Sequence, residues 1–98
     1  MDTGHDGDAR QWRLTREAMD QAGLTPGQVW LRYFGLAGDA GEYEVDAYLN
    51  GVLALPAVQR DLVSHAVNEL AGGAADAPYS RGLDGERNPG QGEAPDGR

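Results

Sequence analysis

Leu24-Thr25-Pro26-Gly27-Gln28-Val29-Trp30-Leu31-Arg32-Tyr33-Phe34-Gly35-Leu36-Ala37-Gly38 carries a helix start, a helix stop and an apolar run between them. Thr25 is placed to cap the first backbone N–H groups, and Gln28, three residues on, is placed to reach back to the cap. Pro26 falls at the first helical position, where its missing N–H costs nothing. Gly38 is suited to the left-handed conformation that closes a helix. The helix is therefore expected from about 26 to 37. At about 100° per residue, Val29, Tyr33, Ala37, Trp30, Phe34 and Leu31 cover an arc of roughly 200°, about twice the stripe a surface helix buries. Such a helix needs cover on two sides.

Working outward, residues 1–7 are small and acidic, without apolar anchors, and are expected to be disordered. Asp8 with Gln11 repeats the capping-box spacing, and Gly23 offers a stop. The helix between them gathers Thr15, Ala18, Met19 and Ala22 on one side, with Trp12 at its edge. This apolar face is thin, so the helix is expected to dock loosely. After the central helix, Asp39 with Glu42 again fits a cap and its partner. A third helix is expected from about 40 to 50, with Val45, Tyr48, Leu49 and Val52 on one side, Tyr43 nearly opposite, and Gly51 as its end. Leu53-Ala54-Leu55 is expected to pack inward.

Pro56 opens the fourth helix at its first position, and Gly72-Gly73 stop it after Ala71. Val58, Leu62, Val63, Ala66, Val67 and Leu70 form its apolar face. Arg60, Asp61, Ser64, His65 and Asn68 form an opposed polar face. From Gly72 to Arg98 the composition turns to Gly, Pro, Asp, Glu and Arg, and residues 72–98 are expected to form a flexible acidic tail. Ala77-Pro78-Tyr79-Ser80 is the stretch of it able to lie on the domain. The expectation is an all-α protein: a helical domain over 8–71, three core helices within 24–71, and a looser N-terminal helix. A core of this length is near the size where folding alone becomes marginal, so either the first helix or a second chain must complete it.

Composition narrows the function classes. The 98 residues permit one small domain, and the absence of cysteine removes disulfides, thiolate nucleophiles and cysteine metal sites. No segment has the apolar length of a membrane span or the pattern of a secretory signal, and a cytoplasmic setting is the reading taken. The formal net charge is −8, and all eight basic residues are Arg. Alanine, glycine, aspartate and arginine richness fits the codon bias of a GC-rich genome. Net negative charge opposes nonspecific nucleic-acid binding.

Little in the chain points to catalysis. Asp61, His65 and Glu69 follow one another at i, i+4 and i+8, but no further ligand from another element is evident, and local contacts along a solvated helix face explain the spacing. Glu42 and Glu44 at a helix start are explained by the helix dipole. The glycines from Gly35 to Gly41 lack the strand and the Lys of a phosphate loop. Asp6-Gly7-Asp8 lacks the later positions of a calcium loop, and neither Ser64 nor Ser80 sits in a nucleophile elbow. The reading is no enzyme, no cofactor and no metal.

Two binding readings remain. A helix-turn-helix-like DNA-binding regulator would use the fourth helix as reader, with Arg60, Ser64 and Asn68 outward, but that helix carries one Arg beside Asp61 and Glu69. The preferred reading is a regulatory or scaffolding protein that acts through protein contacts, with a protein partner or a second copy of itself. Trp30, Tyr33, Tyr43, Arg60, Asp61, Ser64, His65 and Asn68 are the candidate partner-binding residues. Large aromatics anchor interfaces, although Trp30, Phe34 and Tyr48 serve equally as core. Ser64 and Asn68 are poor helix formers, so either a partner or a neighbouring loop of the same chain accounts for them.

The segments Leu24-Thr25-Pro26, Trp30-Leu31-Arg32-Tyr33-Phe34, Tyr48-Leu49-Asn50-Gly51, Leu55-Pro56, Gln59-Arg60-Asp61 and His65-Ala66-Val67-Asn68-Glu69 resemble a group of short actinobacterial proteins of unassigned activity. The resemblance spans residues 24–80. It implies an actinobacterial, intracellular, all-helical protein in a regulatory setting, and it supplies no catalytic residue.

Overall fold

A computed structural model describes the backbone of residues 3–81 and the side chains of residues 9–81. Four helices follow in order: α1 (Thr3–Gln21), α2 (Pro26–Gly35), α3 (Glu42–Leu49) and α4 (Ala57–Ala71). The fold is all-α, with no strand among the described residues. α4 packs on α1 and α2, and α3 packs on the same two from the other side, so the helices close a ring around one core. Ala18, Met19, Val29, Tyr33, Val45, Tyr48, Leu49, Val63, Ala66, Val67 and Ala77 form that core.

The start of α2 is the one the sequence spells. Thr25 Oγ1 accepts from the Gln28 N–H at 3.2 Å, and Gln28 Oε1 accepts from the Thr25 N–H at 2.8 Å, with Pro26 as the first helical residue. Its end differs. The left-handed residue is Ala37 (φ 73), not Gly38. The Gly38 N–H then bonds Tyr33 O at 3.0 Å and the Ala37 N–H bonds Phe34 O at 3.1 Å, which satisfies the last carbonyls. Glycine is needed at position 38 for another reason: a Cβ there would fall inside the Tyr33 ring.

α3 starts two residues later than the Asp39 cap implies. The Asp39 and Ala40 N–H groups are taken by Gln59 Oε1 (3.2 Å) and the Tyr33 hydroxyl (2.8 Å). The cap therefore moves to Gly41, whose N–H donates to Glu44 Oε1 at 2.7 Å. Val45, Tyr48 and Leu49 are buried as their spacing requires, while Val52 is exposed because the chain has already turned through Gly51 (φ 77). A Cβ on Gly51 would also strike the Trp12 indole. Of Leu53-Ala54-Leu55, only Leu55 packs against the core. Pro56 is the cap of α4 rather than its first residue, and Gly72 (φ 58) closes that helix. Val63, Ala66 and Val67 are buried, Leu62 is half-buried, and Val58 and Leu70 face solvent.

α1 begins at Thr3, so the Asp8 start is replaced by a longer helix, and the Asp8–Gln11 pair lies within it. Gln11 does not reach back to a cap because its carboxamide is engaged with α4. The apolar contribution of α1 is thin, as its sequence implies, and Ala18 and Met19 supply the buried part. A buried polar seam adds the rest of the docking. Residues 72–81 are described and packed at their centre, with Ala77 and Ser80 buried. The flexible tail expected beyond them, residues 82–98, lies outside the described residues, as do Met1 and Asp2.

Candidate functional site

Most of the polar face of α4 is covered, and only His65 stays exposed. Arg60 and Ser64 are buried, and α1 covers them. Arg60 Nε donates to Gln11 Oε1 at 2.8 Å, and Arg60 Nη1 reaches Leu55 O at 3.4 Å. Gln11 Nε2 lies within hydrogen-bond reach of Asp61 Oδ1 (3.0 Å), Pro78 O (3.1 Å) and Ser64 Oγ (3.3 Å). Thr15 Oγ1 and Ser64 Oγ are 3.2 Å apart. The seam thus joins a buried guanidinium to neutral carboxamide and hydroxyl groups, with the Asp61 carboxylate at its edge. Buried polar groups matched in this way avoid the desolvation penalty of unpaired ones.

Asp61 and Asn68 hold the segment that follows α4. Asp61 accepts from the Ser80 N–H (2.7 Å) and the Ser80 hydroxyl (2.8 Å). Asn68 Nδ2 donates to Ala77 O at 3.0 Å, and Asn68 Oδ1 accepts from the Ala77 N–H at 2.6 Å. Tyr79 OH lies 3.2 Å from Asn68 Nδ2 and 3.1 Å from His65 Nδ1. Of the two explanations for Ser64 and Asn68, the structure supports contacts within the same chain. Arg60 and Ser64 cannot touch a partner, and Asp61 and Asn68 are committed to residues 77–80. His65 remains exposed, with Nε2 3.0 Å from Glu69 Oε2. Glu69 also takes an ion pair from Arg32, and that hydrogen bond holds its carboxyl below the usual carboxylate value. Among the described residues no group of three His, Cys, Asp or Glu side chains is arranged to hold a metal ion. Asp61 turns toward Gln11 and Ser80, so the i, i+4, i+8 series does not converge.

The same burial bears on DNA reading by α4. A recognition helix must present its polar side chains to base edges. Arg60 and Ser64 lie under α1, and Asn68 is spent on Ala77.

The aromatic candidates separate. Tyr33 is fully buried, its hydroxyl donating to Gln59 Oε1 at 2.6 Å, and burial pushes its phenol above the usual value. Tyr48 is core. Tyr43 is 83% exposed on α3. Trp30 is half-buried, its indole N–H donating to Ala40 O at 3.1 Å, and its ring stacks on Phe34 at 5.3 Å. Phe34 is 59% exposed and Leu31 is 64% exposed. Phe34 and Leu31, which sequence reasoning does not single out as partner-binding, are the outward large apolar residues of α2. The signal for them is the width of the apolar arc itself: the chain covers the Val29 and Tyr33 side and leaves the other side to solvent.

Comparison with protein-family models, with curated proteins and with solved structures finds no match. Among the described residues no helix is long and apolar enough to cross a membrane.

Proposed function

We propose that this chain is a small regulatory or scaffolding protein that acts through protein–protein contact, and that the outer face of α2 is its contact surface. The observation that carries this reading is the continuous apolar face made by Trp30, Phe34 and Leu31 on a helix whose opposite side is already buried. A single exposed Leu or Phe is ordinary; stacked aromatics beside an exposed Leu on one helix face have the composition of an interface centre. The stack is also preset. The Trp30 indole is held by Ala40 O, which reduces the ordering cost of binding. A cytoplasmic setting belongs to the same proposal.

The test is the double substitution Leu31→Ser with Phe34→Ser in the full chain. Both side chains are mostly exposed, so the fold should be kept, with a loss of about 0.5–1.5 kcal/mol from the Phe34–Trp30 stack. Photo-crosslinks formed from α2 in the native host should be lost. Crosslinks that persist in the double variant would place the contact surface elsewhere.

A further inference from the structure

The rim of the α2 face has a sign. Between Arg32 and Arg60 the chain carries Asp39, Glu42, Glu44 and Asp46 and no basic residue. Two of these carboxylates have work inside the fold: Glu44 accepts the Gly41 N–H, and Asp46 accepts from Asn50. Asp39 and Glu42 are exposed, and their carboxylates make no hydrogen bond or ion pair among the described residues. Glu42 borders the apolar face directly, and Asp39 lies one residue from it along the chain. Ala40, next to Asp39, holds the Trp30 indole, and Glu42 Oε2 stands 3.5 Å from the point a Gly27 Cβ would occupy. On the opposite edge of α2, Arg32 is neutralised by Glu69.

The face is also low. Gly27, Leu31 and Gly35 follow one another at i, i+4 and i+8, so Leu31 stands between two positions without side chains. A partner helix can approach the α2 backbone at Gly35, which is exposed, while Glu42 reaches over Gly27 at the other end and the Trp30–Phe34 stack meets the partner's apolar side. We infer that the occupant of this face is a basic amphipathic segment of another protein, whose apolar residues recur at three- and four-residue intervals and whose Lys or Arg side chains reach Asp39 and Glu42. This rests on the reading of α2 as the contact surface. A second copy of the chain is the poorer fit, because its acidic rim would meet its like, on molecules of formal net charge −8.

The experiment is site-specific photo-crosslinking from p-benzoylphenylalanine placed at Leu31 of the full chain in the native host, with mass-spectrometric sequencing of the captured segment. It is run in parallel with Phe34→Ser and with the pair Asp39→Asn and Glu42→Gln. Circular dichroism melts of every variant show that the fold is kept. The expected capture is one segment of a different protein, net positive and of helical apolar periodicity. Its yield should fall in Phe34→Ser, and should fall about fivefold or more in the Asp39→Asn, Glu42→Gln pair and in added salt, as rim charges act on encounter. A capture that needs Phe34 but is acidic or neutral, is a second copy of this chain, or is unmoved by the two neutralisations overturns the basic-partner inference alone. No capture, or a capture indifferent to Phe34, overturns the contact surface as well.

Discussion

Asn68 holds Ala77 by both of its backbone groups: the side-chain amide donates to Ala77 O at 3.0 Å and its carbonyl accepts the Ala77 N–H at 2.6 Å. The pairing copies one rung of a β-ladder with a side chain standing in for one strand, and it fixes a segment that has few apolar side chains of its own. Ala77 sits in the core, so these backbone groups are removed from most solvent and need their partners.

Asn68→Ala should therefore cost about 2–3 kcal/mol, the sum of two net hydrogen bonds plus part of the desolvation penalty left on Ala77. Asn68→Asp should cost less, because the acceptor for the Ala77 N–H is kept. Urea denaturation gives the ranking. Limited proteolysis locates the effect, with cleavage between Gly72 and Ser80 accelerating before the helical core is lost. Equal losses in the two variants would mean that the Ala77 N–H is not what the side chain serves.

Gln11 is the joint between α1 and α4. Its carbonyl receives Arg60 Nε, and its amide group, with two hydrogens, faces three acceptors. Gln11→Ala leaves a buried guanidinium short of one acceptor and should cost about 2–4 kcal/mol. Gln21→Ala, on an exposed position of the same helix, should stay within about 0.5 kcal/mol. Denaturant midpoints for the two variants check this. A small effect at Gln11 would show that the polar seam is not what docks α1, leaving that to Ala18 and Met19.

Gly38 and Gly51 test close packing at two loops. Gly38 is buried with an unexceptional φ, so Gly38→Ala is a purely steric change against the Tyr33 ring, and about 1–3 kcal/mol should be lost. Gly51→Ala adds left-handed backbone strain to a collision with Trp12 and should cost more. Gly23→Ala, where φ is 71 and no atom lies within 4 Å of the added Cβ, isolates the backbone component at about 1 kcal/mol. The order Gly51, Gly38, Gly23 in melting temperature is the outcome that supports these assignments.

Local signals in the sequence fixed the helices well and their surroundings poorly. The Thr25–Gln28 box, Pro26 and the left-handed Gly51 and Gly72 are properties of four or five consecutive residues, and the chain uses them as written. Asp39 and Asp8 carry the same local chemistry, but distant groups override it. Gln59 and Tyr33 take the N–H groups near Asp39, and α4 takes the Gln11 carboxamide. The polar row of α4 reads as a wet face because periodicity reports polarity, not what covers it. Only the partnership of Gln11 and Thr15 with Arg60 and Ser64, about fifty residues apart, turns it inward. The α2 surface was readable in outline from its apolar width, while which side stays open depended on where α3 and α4 land.

Tyr33 gives the fold a dependence on alkaline pH. Its ring is fully buried, and its hydroxyl both donates to Gln59 Oε1 and accepts the Ala40 N–H. Burial raises the phenol above its ordinary value of 10.0, outweighing the Ala40 N–H, which favours the phenolate. In the unfolded chain the phenol titrates near 10. A group whose folded value lies above its unfolded value contributes stability that is intact below the unfolded value and is lost as pH rises through the folded one. The urea midpoint should therefore be insensitive to Tyr33 ionisation at neutral pH and fall as pH climbs beyond about 10. Tyr33→Phe should lower the midpoint at neutral pH by about 1–3 kcal/mol, because the Ala40 N–H loses its acceptor and Gln59 loses a donor. The same variant should shed its share of the alkaline fall, so the two proteins converge as pH rises. Parallel curves across the alkaline range would show that the Tyr33 phenol titrates alike in both states, with its hydroxyl reached by water in the folded chain.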